Sequence, residues 1–188
     1  MSRSARVTIM FTDVVGSTAL LEELGDRAGT EVLRRHFASL RRAIATHGGR
    51  EVKMLGDGLM VGFADPRSAA ACAATMQRSN ARHNRVVGNI RLGLRIGLHS
   101  GEALADGRDY FGMPVVIAKR LCDLCDEGEV IVSGSVREAN ESGNARFDEA
   151  RAMSLKGITA PVEASALRWS DSGLRSVSRR EPLEVVAS

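Results

Sequence analysis

Between residues 50 and 64 the chain writes REVKML, then GDG, then LMVGFA. Two strand-like runs joined by a Gly-Asp-Gly turn are a β-hairpin, and a hairpin commits that part of the chain to an antiparallel sheet. The flanking segments supply the rest. Residues 6–12 (RVTIMFT) read as a buried strand that ends at Asp13. VVGST follows as a glycine turn, with Ser17 or Thr18 available to cap a helix. A short helix is expected over 18–24. A longer one is expected over 29–47, where Val32, Leu33, Phe37, Leu40 and Ile44 recur at helical spacing. After the hairpin come an Ala-rich helix over 67–87, an alternating strand over 91–104 and a helix over 112–125. A short buried strand, EVIVS, and two final strands in ARFDEARAMSLKG and PVEASALRW complete the pattern. The order is β-α-α-β-β-α-β with extra αβ elements, an α+β sheet covered by helices. The stretch 170–188 is polar, rich in Arg and Ser, and without periodicity, so a folded domain over 1–169 and a flexible tail are expected.

Composition excludes several classes. With 188 residues, 44% apolar and 26% charged, the chain has the balance of one soluble globular domain. No apolar run has the length of a membrane span. The first residues, MSRSARVTIMFTD, show no charged-then-apolar leader with a cleavage site, so a cytoplasmic protein is expected. Three cysteines, Cys72, Cys122 and Cys125, make no disulfide framework. A net charge of +3 and 4% aromatics argue against a nucleic-acid surface. Only three of the 26 basic residues are lysines, Lys53, Lys119 and Lys156, which sets them apart, because the two cations differ in geometry and hydration.

Two aspartates carry the chemistry. Asp13 stands at the end of a strand before a glycine turn, and Asp57 sits in a hairpin tip between Gly56 and Gly58. A strand end beside a hairpin tip can bring two carboxylates together, and such hard oxygen ligands suit Mg²⁺ or Mn²⁺. The turn after Asp13 opens a helix, so its backbone N–H groups can cradle phosphate oxygens. Carboxylate pair and phosphate cradle together form a site for two-metal phosphoryl or nucleotidyl transfer. Taken singly, Asp13 also reads as a helix cap and Asp57 as a turn residue.

Four segments, FTDVVGSTALLEELG, VKMLGDGLMVGF, RIGLHSGEAL and DYFGMPVVIAKRL, closely resemble the catalytic domain of class III nucleotidyl cyclases, in the family's order, from about Val7 to about Trp169. The resemblance implies the family's fold, a ferredoxin-like βααββαβ sheet covered by helices. It implies conversion of ATP to 3′,5′-cyclic AMP and pyrophosphate at sites shared across a head-to-tail homodimer, with two Mg²⁺ or Mn²⁺ ions per site. Asp13 and Asp57 match the metal-binding aspartates, and Val14, Val15, Gly16 and Ser17 match the backbone around the phosphates. Lys53 and Asp109 match the purine-selecting pair. A Lys donor beside an Asp acceptor complements adenine, whose N1 accepts and whose 6-amino group donates; guanylyl members usually carry Glu and a small or polar residue there. Arg120 matches the arginine that stabilises the transition state, and Lys156 matches the lysine on the terminal phosphates. In the family the aspartates come from one subunit and Lys53, Asp109, Arg120 and Lys156 from the other, so a monomer would hold two half-sites.

One position departs. The family usually places Asn four residues before the arginine, and this chain has Val116. Valine donates no hydrogen bond, and losing one such positioned group can cost on the order of a hundredfold in rate. Val116 keeps a second reading open, a degenerate cyclase-like module that binds nucleotide for regulation or dimerisation; guanylyl cyclase is a further alternative. Pro114 suits only a helix's first turn. Cys122 and Cys125 form CDLC, read as a plain helix face rather than a redox or zinc motif. Lys119 is expected to face solvent, and His99 is given no catalytic part.

Overall fold

The computed structural model describes residues 3–86 and 91–170. Strand β1 (Arg3–Val15) leads to helix α1 (Ser17–Thr46), the hairpin strands β2 (Arg50–Leu55) and β3 (Gly58–Phe63), helix α2 (Pro66–Val86) and the long strand β4 (Gly93–Asp106). Then come β5 (Asp109–Phe111), α3 (Met113–Leu124), β6 (Val130–Ser133), α4 (Gly134–Ala139), β7 (Arg146–Phe147), β8 (Arg151–Met153) and β9 (Val162–Arg168). The sheet runs β2-β3-β1-β4-β6-β9-β7, with β5 on β4 and β8 on β9. Its first four strands, in the order 2-3-1-4 and all antiparallel, are the ferredoxin-like core. Among the described residues the one parallel pairing, β4 with β6, needs a crossover, and α3 supplies it.

Both faces of the sheet are covered. Val7 to Thr12 of β1 are all buried, as a central strand between two layers requires. Met10 and Val14 pack with Leu40, Ile44, Ala73 and Met76 of α1 and α2, while Val7, Ile9 and Phe11 pack with Ala118 and Cys122 of α3. Period-2 alternation therefore sorts β1 into two cores. Pro114 sits in the first turn of α3, where its missing N–H removes no helical bond. Helix α3 lies very close to the sheet. A Cβ on Gly97 would stand 2.2 Å from the Cys122 nitrogen and 2.5 Å from the Ala118 oxygen. Cys122 and Cys125 fit the same seam as small apolar side chains, their thiols donating to the carbonyls of Arg95 and Ile96. All three cysteines are buried and free. Burial pushes the thiols of Cys72 and Cys122 up to about 12, which removes thiolate chemistry from them.

Several boundaries differ from expectation. β1 runs two residues past Asp13, because β4 continues to pair with it as far as Val15. The two helices expected over 18–24 and 29–47 are one helical run broken only at Gly25, whose φ of 74° and ψ of 161° kink it. β5 and α4 are short elements without a periodic signature. The expected tail from residue 170 lies, beyond Ser170, outside the described residues. No helix among the described residues is long and apolar enough to cross a membrane.

Candidate active site

The end of β1 and the β2–β3 turn, which carry the two aspartates, are tied to each other. The Val14 N–H donates to the Asp57 carbonyl at 3.2 Å, and the Leu59 N–H donates to the Thr12 hydroxyl at 3.0 Å. Gly58 makes this approach possible, since a Cβ there would lie 2.1 Å from the Thr12 oxygen. The Ser17 hydroxyl donates to Asp57 Oδ2 at 2.7 Å. This corrects the helix-cap expectation. The N-cap of α1 is Gly16, which has φ 86° and no capping side chain, and the hydroxyl of Ser17 goes to the hairpin instead. Ser17 stands one residue inside the helix rather than at the cap, and its O–H makes a charge-assisted bond to the carboxylate.

Asp13 lies directly across from Arg95 of β4, and the Arg95 guanidinium binds its Oδ2 through both Nε and Nη2. Sequence reasoning missed Arg95. Its strand was recognisable, but only the register puts residue 95 opposite residue 13 and on the same face. The donors around Asp13 and Asp57 are hard oxygens, and among the described residues no group of three or more His, Cys, Asp or Glu side chains gathers here or elsewhere. Two carboxylates with no imidazole or thiol beside them form a donor set whose chemistry suits Mg²⁺ or Mn²⁺.

Lys53 and Asp109 meet in a second cluster. Lys53 Nζ donates to Asp109 Oδ2 at 2.6 Å, and the Tyr110 N–H donates to Asp109 Oδ1 at 2.8 Å. The Lys53 ammonium holds the Asp109 carboxyl below the usual carboxylate range. A register shift between Glu51 and Lys53 makes the meeting possible. Val52 and Lys53 both fall on the α3 side, Val52 packing into the Met60 cluster and Lys53 standing opposite Met60. Glu51 turns to the other face and pairs with Arg41 of α1. Without that bulge Lys53 would alternate away from Asp109.

Arg120 and Lys156 join neither cluster. Arg120 Nη1 reaches Asp123 one turn along α3 at 3.2 Å, and its Nε is buried without a partner. Lys119 shares the same Asp123 at 2.5 Å and so does not simply face solvent. Lys156 is exposed after β8. Val116 is 39% exposed on α3. His99 is half-buried and held neutral, its pKa lowered by desolvation to about 4. Among the described residues no hydrogen bond or ion pair links the Asp13–Asp57 cluster to the Lys53–Asp109 pair.

The sequence model for "Adenylate and Guanylate cyclase catalytic domain" matches residues 1–167. The chain belongs to that family. The cyclase domain is 30% identical over 162 residues to putative adenylate cyclase 3 of Rhizobium meliloti, covering 85% of this chain and 28% of the relative. It superposes on the adenylyl cyclase CyaB of P. aeruginosa with a TM-score of 0.78 at 25% identity, over 93% of this chain and 100% of that one. On an adenylate/guanylate cyclase/hydrolase from Silicibacter pomeroyi the TM-score is 0.77 at 26% identity, over 89% and 98%. The domain spans less than half the length of the curated relatives it matches.

Proposed function

We propose that this cyclase domain converts ATP to 3′,5′-cyclic AMP and pyrophosphate as one half of a head-to-tail homodimer. The observation that carries the choice of ATP is the Lys53–Asp109 pair. An ammonium with further N–H donors and a carboxylate with free lone pairs, held 2.6 Å apart, offer adenine N1 a donor and its 6-amino group an acceptor. Guanine presents the reverse pattern, and each buried group left unpaired costs about 1–3 kcal/mol.

Asp13 and Asp57 would hold Mg²⁺ or Mn²⁺, which when bound lowers the pKa of the ribose 3′-hydroxyl and neutralises the triphosphate. Ser17 fixes the Asp57 carboxylate, and the backbone of Val14, Val15, Gly16 and Ser17 faces the phosphates at the start of α1. Arg120 and Lys156 supply positive charge for the leaving pyrophosphate. Three facts support the shared site. The two clusters are separate within one chain, Arg120 and Lys156 reach neither, and apolar side chains stand exposed beside them: Met54 and Leu55 on the hairpin, Phe111 on β5, Met113 and Val116 on α3.

With Mn²⁺ the purified domain is expected to form cyclic AMP from ATP in preference to cyclic GMP from GTP. Retained ATP binding without turnover would favour the second reading, a nucleotide-binding regulatory module, for which Val116 is the supporting observation. Asp57→Ala and Arg120→Ala should each abolish activity. Mixing the two should restore part of it through one complete interfacial site, and no restoration would refute the head-to-tail arrangement.

A further inference from the structure

The hairpin of β4 and β5 turns through two residues, Gly107 and Arg108, with Asp106 paired to Asp109. β5 has three residues, and among the described residues it pairs with β4 alone. A strand this short is not held by one ladder. Yet β5 carries Asp109, whose carboxylate has to stay at a fixed place beside Lys53. The restraint comes from β2, through two cations three residues apart. Lys53 donates to Asp109, and its ammonium lies 5.7 Å from the centre of the Phe111 ring. Arg50 Nη1 donates to the Arg108 carbonyl at 2.7 Å, and its guanidinium lies over the Tyr110 ring at 5.1 Å. Both distances are within reach of a cation–π contact.

Arg50 stands opposite Gly62 in the β2–β3 ladder, and a Cβ on Gly62 would lie 2.8 Å from Tyr110 Cε2. The Tyr110 ring therefore rests against bare backbone, with the Arg50 guanidinium over it. The Tyr110 N–H in turn donates to Asp109 Oδ1. Arg50 thus grips the residue on each side of Asp109, Arg108 by its carbonyl and Tyr110 by its ring. A planar guanidinium can lay its face on a ring while an N–H at its edge donates, which a lysine ammonium cannot do in the same way. Lys53 and, at longer range, Arg50 also hold the Asp109 carboxyl below the usual carboxylate range, so that it remains an acceptor.

We propose that Arg50 is a positioning residue for purine selection: by gripping Arg108 and Tyr110 it holds the Asp109 carboxylate where the 6-amino group of adenine meets it. The inference rests on the purine reading of Lys53 and Asp109 and gives Arg50 no contact with the nucleotide. Guanine makes no use of that acceptor, so the effect of Arg50 falls on adenine.

The test is calorimetric titration of the full chain with 3′-deoxy-ATP and 3′-deoxy-GTP in Mn²⁺, neither of which has a 3′-hydroxyl to cyclise. Arg50→Met keeps a long side chain and removes the charge and the donors. It should weaken 3′-deoxy-ATP about fivefold and leave 3′-deoxy-GTP within about twofold, so that the preference for adenine shrinks. In turnover the loss should fall on KM for ATP rather than on kcat. The NMR ring signals of Tyr110, the chain's single tyrosine, should shift in the variant. Arg50→Lys should recover part of the preference, because an ammonium still donates to one carbonyl. Arg50 is exposed, so both variants should unfold close to the wild-type midpoint. Lys53→Glu is the control. If it leaves the preference unchanged, the purine reading falls and the role of Arg50 falls with it. If Lys53→Glu removes the preference while Arg50→Met does not move it, or if Arg50→Met weakens both nucleotides equally, the role of Arg50 alone is overturned.

Discussion

Lys53 reaches Asp109 across 56 positions of sequence, and the two charges are half-exposed rather than deeply buried. In the folded chain the pair therefore adds little to stability. In the proposed function its weight falls on recognition, where adenine would satisfy both groups and guanine neither. Lys53→Glu should leave the unfolding midpoint nearly unchanged and lower kcat/KM for ATP by at least about a hundredfold, since two hydrogen bonds are mismatched at once. The ratio of kcat/KM for ATP over GTP is the measurement, and an unchanged ratio would remove Lys53 from purine selection. Arg95 is the complementary case, a charged residue whose partner, Asp13, is assigned by strand register alone.

At the scale of elements, the seating of α3 matters most. This helix carries Val116, Lys119 and Arg120 on one side and meets the sheet through Ala118 and Cys122 on the other, directly over Gly97. Gly97→Ala would place a methyl group 2.2 Å from a backbone nitrogen, so the helix must lift. Overpacking of this kind costs about 1–3 kcal/mol. Urea denaturation should show a lower midpoint with an unchanged slope. Activity measured at a temperature where the variant stays folded should also fall, because Arg120 moves with the helix. A variant as stable as wild type would mean that α3 is not held by this contact. The bulge in β2 works in the same way on a smaller scale, where one extra residue decides which face Lys53 occupies.

The whole molecule responds to acid through two desolvated histidines, His36 buried and His99 half-buried. Desolvation lowers the pKa of His36 and of His99 to about 4, from the ordinary histidine value of 6.5. Between those values the unfolded chain takes up protons that the folded chain refuses, so stability falls as pH drops from 6.5 toward 4. Each fully linked proton contributes about 1.4 kcal/mol per pH unit. Denaturant midpoints measured across this window should decline steeply, and His36→Gln should flatten part of the decline. An equal decline in that variant would show that His36 is protonated in the fold. Asp109, depressed by Lys53, contributes stability above the usual carboxylate range and loses it only under stronger acid, so the two effects are separable by pH.

Local patterns determined much of this protein. The β-branched run before Asp13, the GDG turn and the helical spacing of Phe37, Leu40 and Ile44 each act within a few residues, and each element formed where its pattern stood. The helix-face reading held for Cys122, while Cys125 stands just past the end of α3 in extended backbone and packs as a small apolar side chain there. The tertiary structure decided what depends on register and approach. It extended β1 past Asp13, set Arg95 against that carboxylate, sent the Ser17 hydroxyl to Asp57 and used a one-residue bulge to bring Lys53 to Asp109. It also closed α1 onto α2 around His36 and Asn80. These contacts join residues far apart in the chain, and their geometry follows from how strands pair and helices seat, which no short window of sequence encodes.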